Sequence, residues 1–323
     1  MVISLSLLLC ACSDAPRDNP LDPQSPRYQG NAMVGGNVYV LDQNSPVGQA
    51  RVTCVENGLS VLTDSNGVFQ FTKIDVGSLT FVCTKTGFAP DTSKIVLQAG
   101  SPQQISFGLN GYPYIVSQRI LTRKIDQYYP SPQYFVDVSA SVSDPNGIED
   151  VDSVWFVVDS TRFVMVYSPT TNMFQTTIYK YSFPTNTIQW LVGKPLTIES
   201  TDRSRALGVG SPFYVTRIIE DEATPVYPSS LNNDTTGSLP MLKWTPPNVT
   251  YNFSYTLVIS LVNSGTEQVW WTYSGYGSIY QQLQFPSDST TQPLQAGNYV
   301  WTIAVVDDFG NYSRSKESSF VVK

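Results

Sequence analysis

The 323-residue chain has 26 acidic against 19 basic residues, a net charge of −7, and its Lys and Arg are scattered. That excludes a nucleic-acid partner, because phosphate binding needs clustered cations. The absence of histidine also excludes Ser-His-Asp and Cys-His nucleophiles and every His-based zinc site.

Hydrophobic residues make up 41% of the chain, enough for packed cores. Charged residues reach only 14%, below the usual quarter or so. The surface is therefore polar but largely uncharged, and the length predicts two or three domains. No cofactor is implied.

Val2 to Leu9 is an apolar run, too short for a bilayer-spanning helix of about 20 residues but suited to a secretion signal. It runs into Leu9-Cys10-Ala11-Cys12. A branched apolar residue three before Cys12 and a small one directly before it resemble the lipobox of bacterial lipoproteins. The resemblance implies cleavage before Cys12, a lipid on its sulfur and a membrane partner reached through that anchor. No Lys or Arg precedes Cys12, a departure from the usual signal. Cys10 competes as the modified residue, but Leu9 is too large for the position before it. A cleaved, unlipidated signal is the alternative. Ser13 rather than Asp follows the cysteine. By resemblance to enterobacterial sorting, this implies the outer membrane, with the protein facing the periplasm or the cell surface.

Residues 13–33 are rich in Pro, Asp, Asn, Ser and Gln without apolar periodicity. They read as a disordered tether that cannot bury enough surface to offset ordering entropy.

Residues 34–109 read as a first β-domain. Gly36 to Val40 alternates, Pro46-Val47-Gly48 turns the chain, and Ala50 to Val55 alternates again. Asn66-Gly67 is a hairpin signal, because both residues tolerate positive φ. Leu79 to Cys83, Ile95 to Leu97 and Ile105 to Leu109 complete the set. Gly36, Val38, Pro46, Gly48, Ala50, Val52, Thr63, Asp64, Asn66, Gly67, Phe69, Phe71, Gly77, Leu79, Phe81, Gly87 and Phe88 together resemble the carboxypeptidase regulatory-like domain. That resemblance implies a prealbumin-like β-sandwich of about seven strands without catalytic residues of its own. It also implies that the strands carrying Cys54 and Cys83 are neighbours. On the core face the two cysteines could form a disulfide, which requires Cα atoms within about 7 Å. If the strands are antiparallel they could instead lie at opposite ends. Two buried, inert thiols are the alternative.

Residues 110–222 read as an immunoglobulin-like sandwich. Tyr134 to Val142 alternates strictly, and Val151 to Val158, Phe163 to Tyr167, Met173 to Tyr179, Thr187 to Leu191, Leu196 to Asp202 and Pro212 to Ile218 follow as strands. Asp144, Asn146, Glu149, Asp150 and Asp152 form the densest cluster of oxygen ligands. Asp144, Asn146 and Asp150 are calcium candidates, but the spacing is not that of an EF-hand. A β-turn with solvated acids is the simpler reading.

Residues 223–323 read as a third sandwich. Pro240 to Pro246, with Trp244, and Leu294 to Ile303, with Tyr299, resemble fibronectin type III strands. This implies a core tryptophan and a corner tyrosine bonded back to the chain. Thr197 to Asp202 followed by Pro212 to Val215 faintly repeats Thr302 to Asp307 followed by Ser319 to Val322. Trp270, Trp271, Tyr273, Tyr276 and Tyr280 make an aromatic stretch, a platform for sugar rings or a protein anchor if exposed. On a regular strand Trp271 and Tyr273 share one face while Trp270 faces away, so one tryptophan is expected outside the core. Core packing is the alternative.

The expectation is an all-β chain: signal 1–12, tether 13–33, then three sandwiches in series. Its expected role is non-enzymatic display, scaffolding or ligand capture at the envelope, with a glycan or an envelope protein as partner. The rivals are a carbohydrate-binding protein using the aromatic stretch and a carboxylate hydrolase. The hydrolase would require two acids roughly 5–10 Å apart in a concave site.

Overall fold

The computed structural model describes residues 30–99, 102–276 and 281–323. The chain is all-β, its only helical segments among the described residues being 3-10 turns of three or four residues. Its contacts divide it into two units. One gathers the chain up to Pro113 with two later segments, Asp144–Asp150 and Asp202–Ala206; the other holds Tyr114–Ser143, Val151–Thr201 and Leu207–Lys323.

The first unit contains β1 (Asn31–Val40), β2 (Arg51–Cys54), β3 (Ser60–Leu62), β4 (Val68–Asp75), β5 (Gly77–Thr84), β6 (Asp91–Leu97) and β7 (Gln103–Leu109). They form two sheets, ordered β4-β1-β7 and β3-β2-β5-β6. Alternate residues of β1, Ala32, Val34, Val38 and Val40 among them, point into one cluster with Val52, Phe69, Phe71, Phe81, Phe107 and Leu109, as a period of two requires.

The Asn66-Gly67 turn differs from the hairpin expected of it. It joins β3 to β4, which lie in different sheets. Asp64 Oδ1 accepts from the Asn66 and Val68 N–H groups, both at 2.8 Å, and this side-chain cap shapes the link. Gly67 has φ +74°, and a Cβ there would stand 2.4 Å from the Val38 carbonyl oxygen. Only glycine fits on both counts. Thr63 is buried behind this turn. Its hydroxyl donates to the Val47 carbonyl at 2.6 Å and accepts from the Ala50 N–H at 2.9 Å.

The second unit contains β8 (Tyr114–Ile125), β9 (Gln133–Ser143), β10 (Val151–Val158), β11 (Thr161–Ser168), β12 (Met173–Tyr179), β13 (Leu196–Asp202, whose last residue, Asp202, belongs to the first unit), β14 (Leu207–Val209) and β15 (Thr224–Tyr227). It continues through β16 (Thr235–Thr236), β17 (Met241–Thr245), β18 (Phe253–Asn263), β19 (Thr266–Tyr276), β20 (Gln282–Gln284), β21 (Gly297–Asp307), β22 (Tyr312–Arg314) and β23 (Ser318–Val322). One hydrogen-bonded path runs β14-β13-β10-β11-β12-β9-β8-β22-β21-β18-β19, and β15-β17-β20 form a smaller sheet.

Two hydrophobic clusters occupy this unit. One is built on Val138, Phe156, Ile178, Leu191 and Ile198. The other is built on Ile219, Leu242, Trp244, Leu257, Trp301 and Ile303. Strand β8 links the two parts of the unit. It pairs antiparallel with β9 on one side and parallel with β22 on the other, Tyr312 opposite Arg123. Sequence patterning missed β8 because few of its residues are buried; its two edges are instead satisfied by backbone pairing.

Thr187 to Leu191, expected as a strand, is a 3-10 turn over Ile188–Leu191. Thr187 Oγ1 accepts from the Gln189 N–H at 3.3 Å, and Ile188 and Leu191, three apart, are both buried. That spacing suits a 3-10 turn and not a strand. Pro212 to Ile218 forms one isolated bridge, Phe213 to Leu196, and no strand. Trp244 is buried edge-on against Tyr255, and the Tyr299 hydroxyl accepts from the Gln295 N–H at 3.2 Å, the corner contact expected of it.

Candidate functional site

Cys12, the rest of the signal and nearly all of the tether lie outside the described residues, as do Tyr280 and the side chain of Tyr276. The rest of the aromatic stretch sits on β19. Its register with β18 puts Trp271 opposite Ile259 and Val269 opposite Ser260, so Trp270 is a bulge residue without a partner. A bulge breaks alternation, and both tryptophans pack on the same cluster. Trp271 meets Phe285 edge-on at 5.2 Å and stacks on Tyr273 at 5.9 Å. Trp270 meets Tyr299 edge-on at 6.1 Å and donates its indole N–H to the Gln292 carbonyl at 3.4 Å. The expected outward tryptophan is thus corrected by one extra residue in the strand.

Cys54 and Cys83 are free and buried. Strands β2 and β5 are antiparallel, with Cys54 opposite Phe81 and Cys83 opposite Val52, so the cysteines are offset by two residues. Burial, with Asp91 nearby, pushes the Cys83 thiol up to about 12. Burial is also the first cause of the raised Cys54 thiol. Both keep their protons at neutral pH and are poor nucleophiles.

The acidic segment forms the expected turn, Gly147 N–H donating to the Asp144 carbonyl at 3.0 Å, and Glu149 and Asp152 are exposed, but Asp144 and Asn146 are buried. Asp144 and Asn146 are 7% and 4% exposed. Asn146 is consumed by structure: its Oδ1 accepts from the Gly111 N–H at 2.7 Å, and its Nδ2 donates to the Leu41 carbonyl at 2.7 Å. Its backbone carbonyl accepts from Gln43 Nε2 at 2.7 Å. It therefore holds the loop and is removed from the calcium candidates. Asp144 and Asp150 instead meet Asp202, a residue the sequence reading did not connect with them. One carboxylate oxygen from each lies within 4.8 Å of the others.

Asp144 Oδ1 accepts from the Asn146 N–H at 2.7 Å, while Oδ2 is fully buried with no hydrogen-bond partner among the described residues. Asp202 Oδ1 accepts from the Ala206 N–H at 2.7 Å, and its Oδ2 from Asn110 Nδ2 at 2.6 Å. Burial first, then Asp150 and Asp202, raise the Asp144 carboxyl to about 6. Asp150 is raised by burial, Asp202 and Asp42 against the opposing pull of Arg203.

A second site belongs to the second unit. Tyr179 on β12 pairs with Phe135 on β9, which brings together two stretches that sequence spacing leaves apart. Pro130, Pro132, Tyr134, Tyr179, Lys180 and Tyr181 are among the residues lining a shallow cleft of about 360 Å³. The Tyr179 and Tyr181 rings are stacked, 2° from parallel at 5.5 Å, and Tyr181 is 67% exposed. Lys180 Nζ lies 5.2 Å over the Tyr134 ring.

Asp126 and Glu222 share another cleft of the same unit. Burial first, then hydrogen bonding with Asp126, raises Glu222 to about 7, against Lys124 at 3.2 Å.

Residues 33–110 match the family model of the carboxypeptidase regulatory-like domain. No curated protein matches the chain. Among solved structures, the chain is similar to BcpA, the major pilin subunit of Bacillus cereus, at 12% identity over 88% of this chain and 91% of that one, TM-score 0.34. It is similar to the fibronectin(III)-like modules of Clostridium thermocellum CbhA at 14% identity over 65% and 94%, TM-score 0.29. It is also similar to a DUF3823 family protein from Bacteroides ovatus at 8% identity over 57% and 97%, TM-score 0.25.

Proposed function

We propose that the chain is a non-enzymatic lipoprotein of the bacterial envelope that captures an uncharged ligand, a glycan first among them, in the tyrosine cleft of its second unit. Cys12 anchors it to the outer membrane, residues 13–33 are the tether, and 34–109, 110–222 and 223–323 are its three β-modules. The observation that supports capture is the stacked Tyr179–Tyr181 pair at the mouth of a proline-lined cleft. Flat aromatic faces beside a few polar groups suit sugar rings. The polar, weakly charged surface suits the same ligand class. The regulatory-like module at residues 33–110 serves as a spacer.

Binding of the full chain to an array of neutral oligosaccharides tests the cleft. Tyr181→Ala should abolish binding with stability changed by less than about 0.5 kcal/mol, as at other surface sites. Binding that survives Tyr181→Ala would reject the cleft. No binding by the unaltered chain would leave only scaffolding. For the anchor, Cys12→Ala should lose palmitate labelling and leave the membrane fraction; labelling that persists rejects it.

A further inference from the structure

We propose that Asp144, Asp150 and Asp202 are the protein ligands of a hard divalent cation, calcium best of all, bound within the first unit.

The three carboxylates converge with one oxygen each inside 4.8 Å. Oxygens each bound to one ion at about 2.4 Å can lie no further apart than about 4.8 Å, so the spacing fits one shared ion. The second observation is Asp144 itself. The residue is 7% exposed, and its Oδ2 is sealed from solvent without any hydrogen-bond donor among the described residues. A buried carboxylate oxygen without a donor is costly unless a cation or proton meets it. Among the described residues no Lys or Arg forms an ion pair with Asp144, Asp150 or Asp202. Asp42 adds further negative potential at Asp150, and Arg203 is the one opposing charge felt there.

The donor set selects the ion class. Three carboxylates without histidine or thiolate are hard ligands, which favours calcium or magnesium over zinc. An irregular cluster completed by water suits calcium, which tolerates six to eight ligands and loose geometry; magnesium demands a near-ideal octahedron. Asp150, half-buried, gives the ion a route from solvent. The ligands come from two segments of the unit, Asp144–Asp150 and Asp202–Ala206, so the ion would cross-link chain more than fifty residues apart.

The test is calorimetric titration of the chelator-treated full chain with calcium chloride, beside thermal melting in calcium or in chelator. One site should bind, and calcium should raise the melting temperature by several degrees, magnesium by less. Asp144→Asn and Asp202→Asn should each weaken binding at least tenfold and remove the shift, while Asp152→Asn, a neighbouring acid outside the cluster, should keep both. Circular dichroism establishes that each variant is folded. No calcium binding by the folded unaltered chain overturns the proposal, as does a calcium shift retained in folded Asp144→Asn.

Discussion

Two turns in different units, ending β13 and β21, share one local design and differ in one charge. Asp202 N–H donates to the Ala206 carbonyl at 3.2 Å, Arg205 N–H to the Asp202 carbonyl at 3.0 Å, and Ala206 N–H to Asp202 Oδ1 at 2.7 Å. Asp307 repeats this with Asn311, Gly310 and Asn311, at 3.1, 2.9 and 2.8 Å. Both aspartates are almost wholly buried. The second oxygen separates them. Asp307 Oδ2 accepts from Arg217 Nη1 at 2.9 Å and Asn311 Nδ2 at 3.0 Å. Asp202 Oδ2 has only a neutral amide, Asn110, among the described residues, and the Asp202 carboxylate lies beside two more acids. The backbone turn therefore fixes the carboxylate, and the surrounding chain decides whether its charge is balanced from within or from solution.

Breaking the internal pair should have the largest effect. Arg217→Ala leaves Asp307 buried and uncompensated and removes the cation lying 3.7 Å over the Tyr251 ring. Urea unfolding should show a loss of about 3 kcal/mol, the low end for a broken buried pair because Arg217 is partly exposed. A loss under about 1 kcal/mol would mean that the arginine contributes little.

Glu222 sharpens the comparison as an intermediate case, holding both a cation, Lys124, and a second acid, Asp126. Its folded carboxyl, near 7, lies above its ordinary value of 4.5. The folded state thus holds a proton that the unfolded state releases above about 4.5. Its contribution is complete below the ordinary value and is lost as pH rises through about 7. Stability should fall by about 2 kcal/mol between pH 5 and 8, and Glu222→Gln should flatten that slope. An unchanged slope in the variant assigns it elsewhere.

In chelator, Asp144→Asn should act with the opposite sign to Arg217→Ala. Removing an unpaired buried charge should gain about 1 kcal/mol, read from the urea midpoint; a loss of stability would mean that the charge is already satisfied. The smallest effect belongs to the fourth residue of each turn. Arg205 has φ +66° where Gly310 has φ +91°, and Arg205→Gly should gain about 0.5 kcal/mol by relieving left-handed strain. A loss would show that the arginine side chain matters more than its backbone.

What the sequence made legible were features with local causes. The regulatory-like motif was readable because turn and core positions recur together, Gly67 against the Val38 carbonyl being one case. Trp244 and Tyr299 were readable as core and corner, and the faint repeat correctly aligned Asp202 with Asp307. The remainder depended on register. The bulge at Trp270 turned an expected outward ring inward, and β8 escaped notice because both its edges are paired while few of its side chains are buried. Asp202 stands more than fifty residues from Asp144, and the tyrosine cleft forms only once β9 and β12 pair. No local pattern carries such meetings.

Amide hydrogen exchange at Ala206 and Asn311, followed with and without calcium in the same sample, tests the comparison most directly, because each N–H donates to the carboxylate of its own turn. Calcium should slow exchange at Ala206 at least tenfold and leave Asn311 unchanged, since Arg217 already balances Asp307. Exchange that responds equally at both amides, or at neither, would contradict the account.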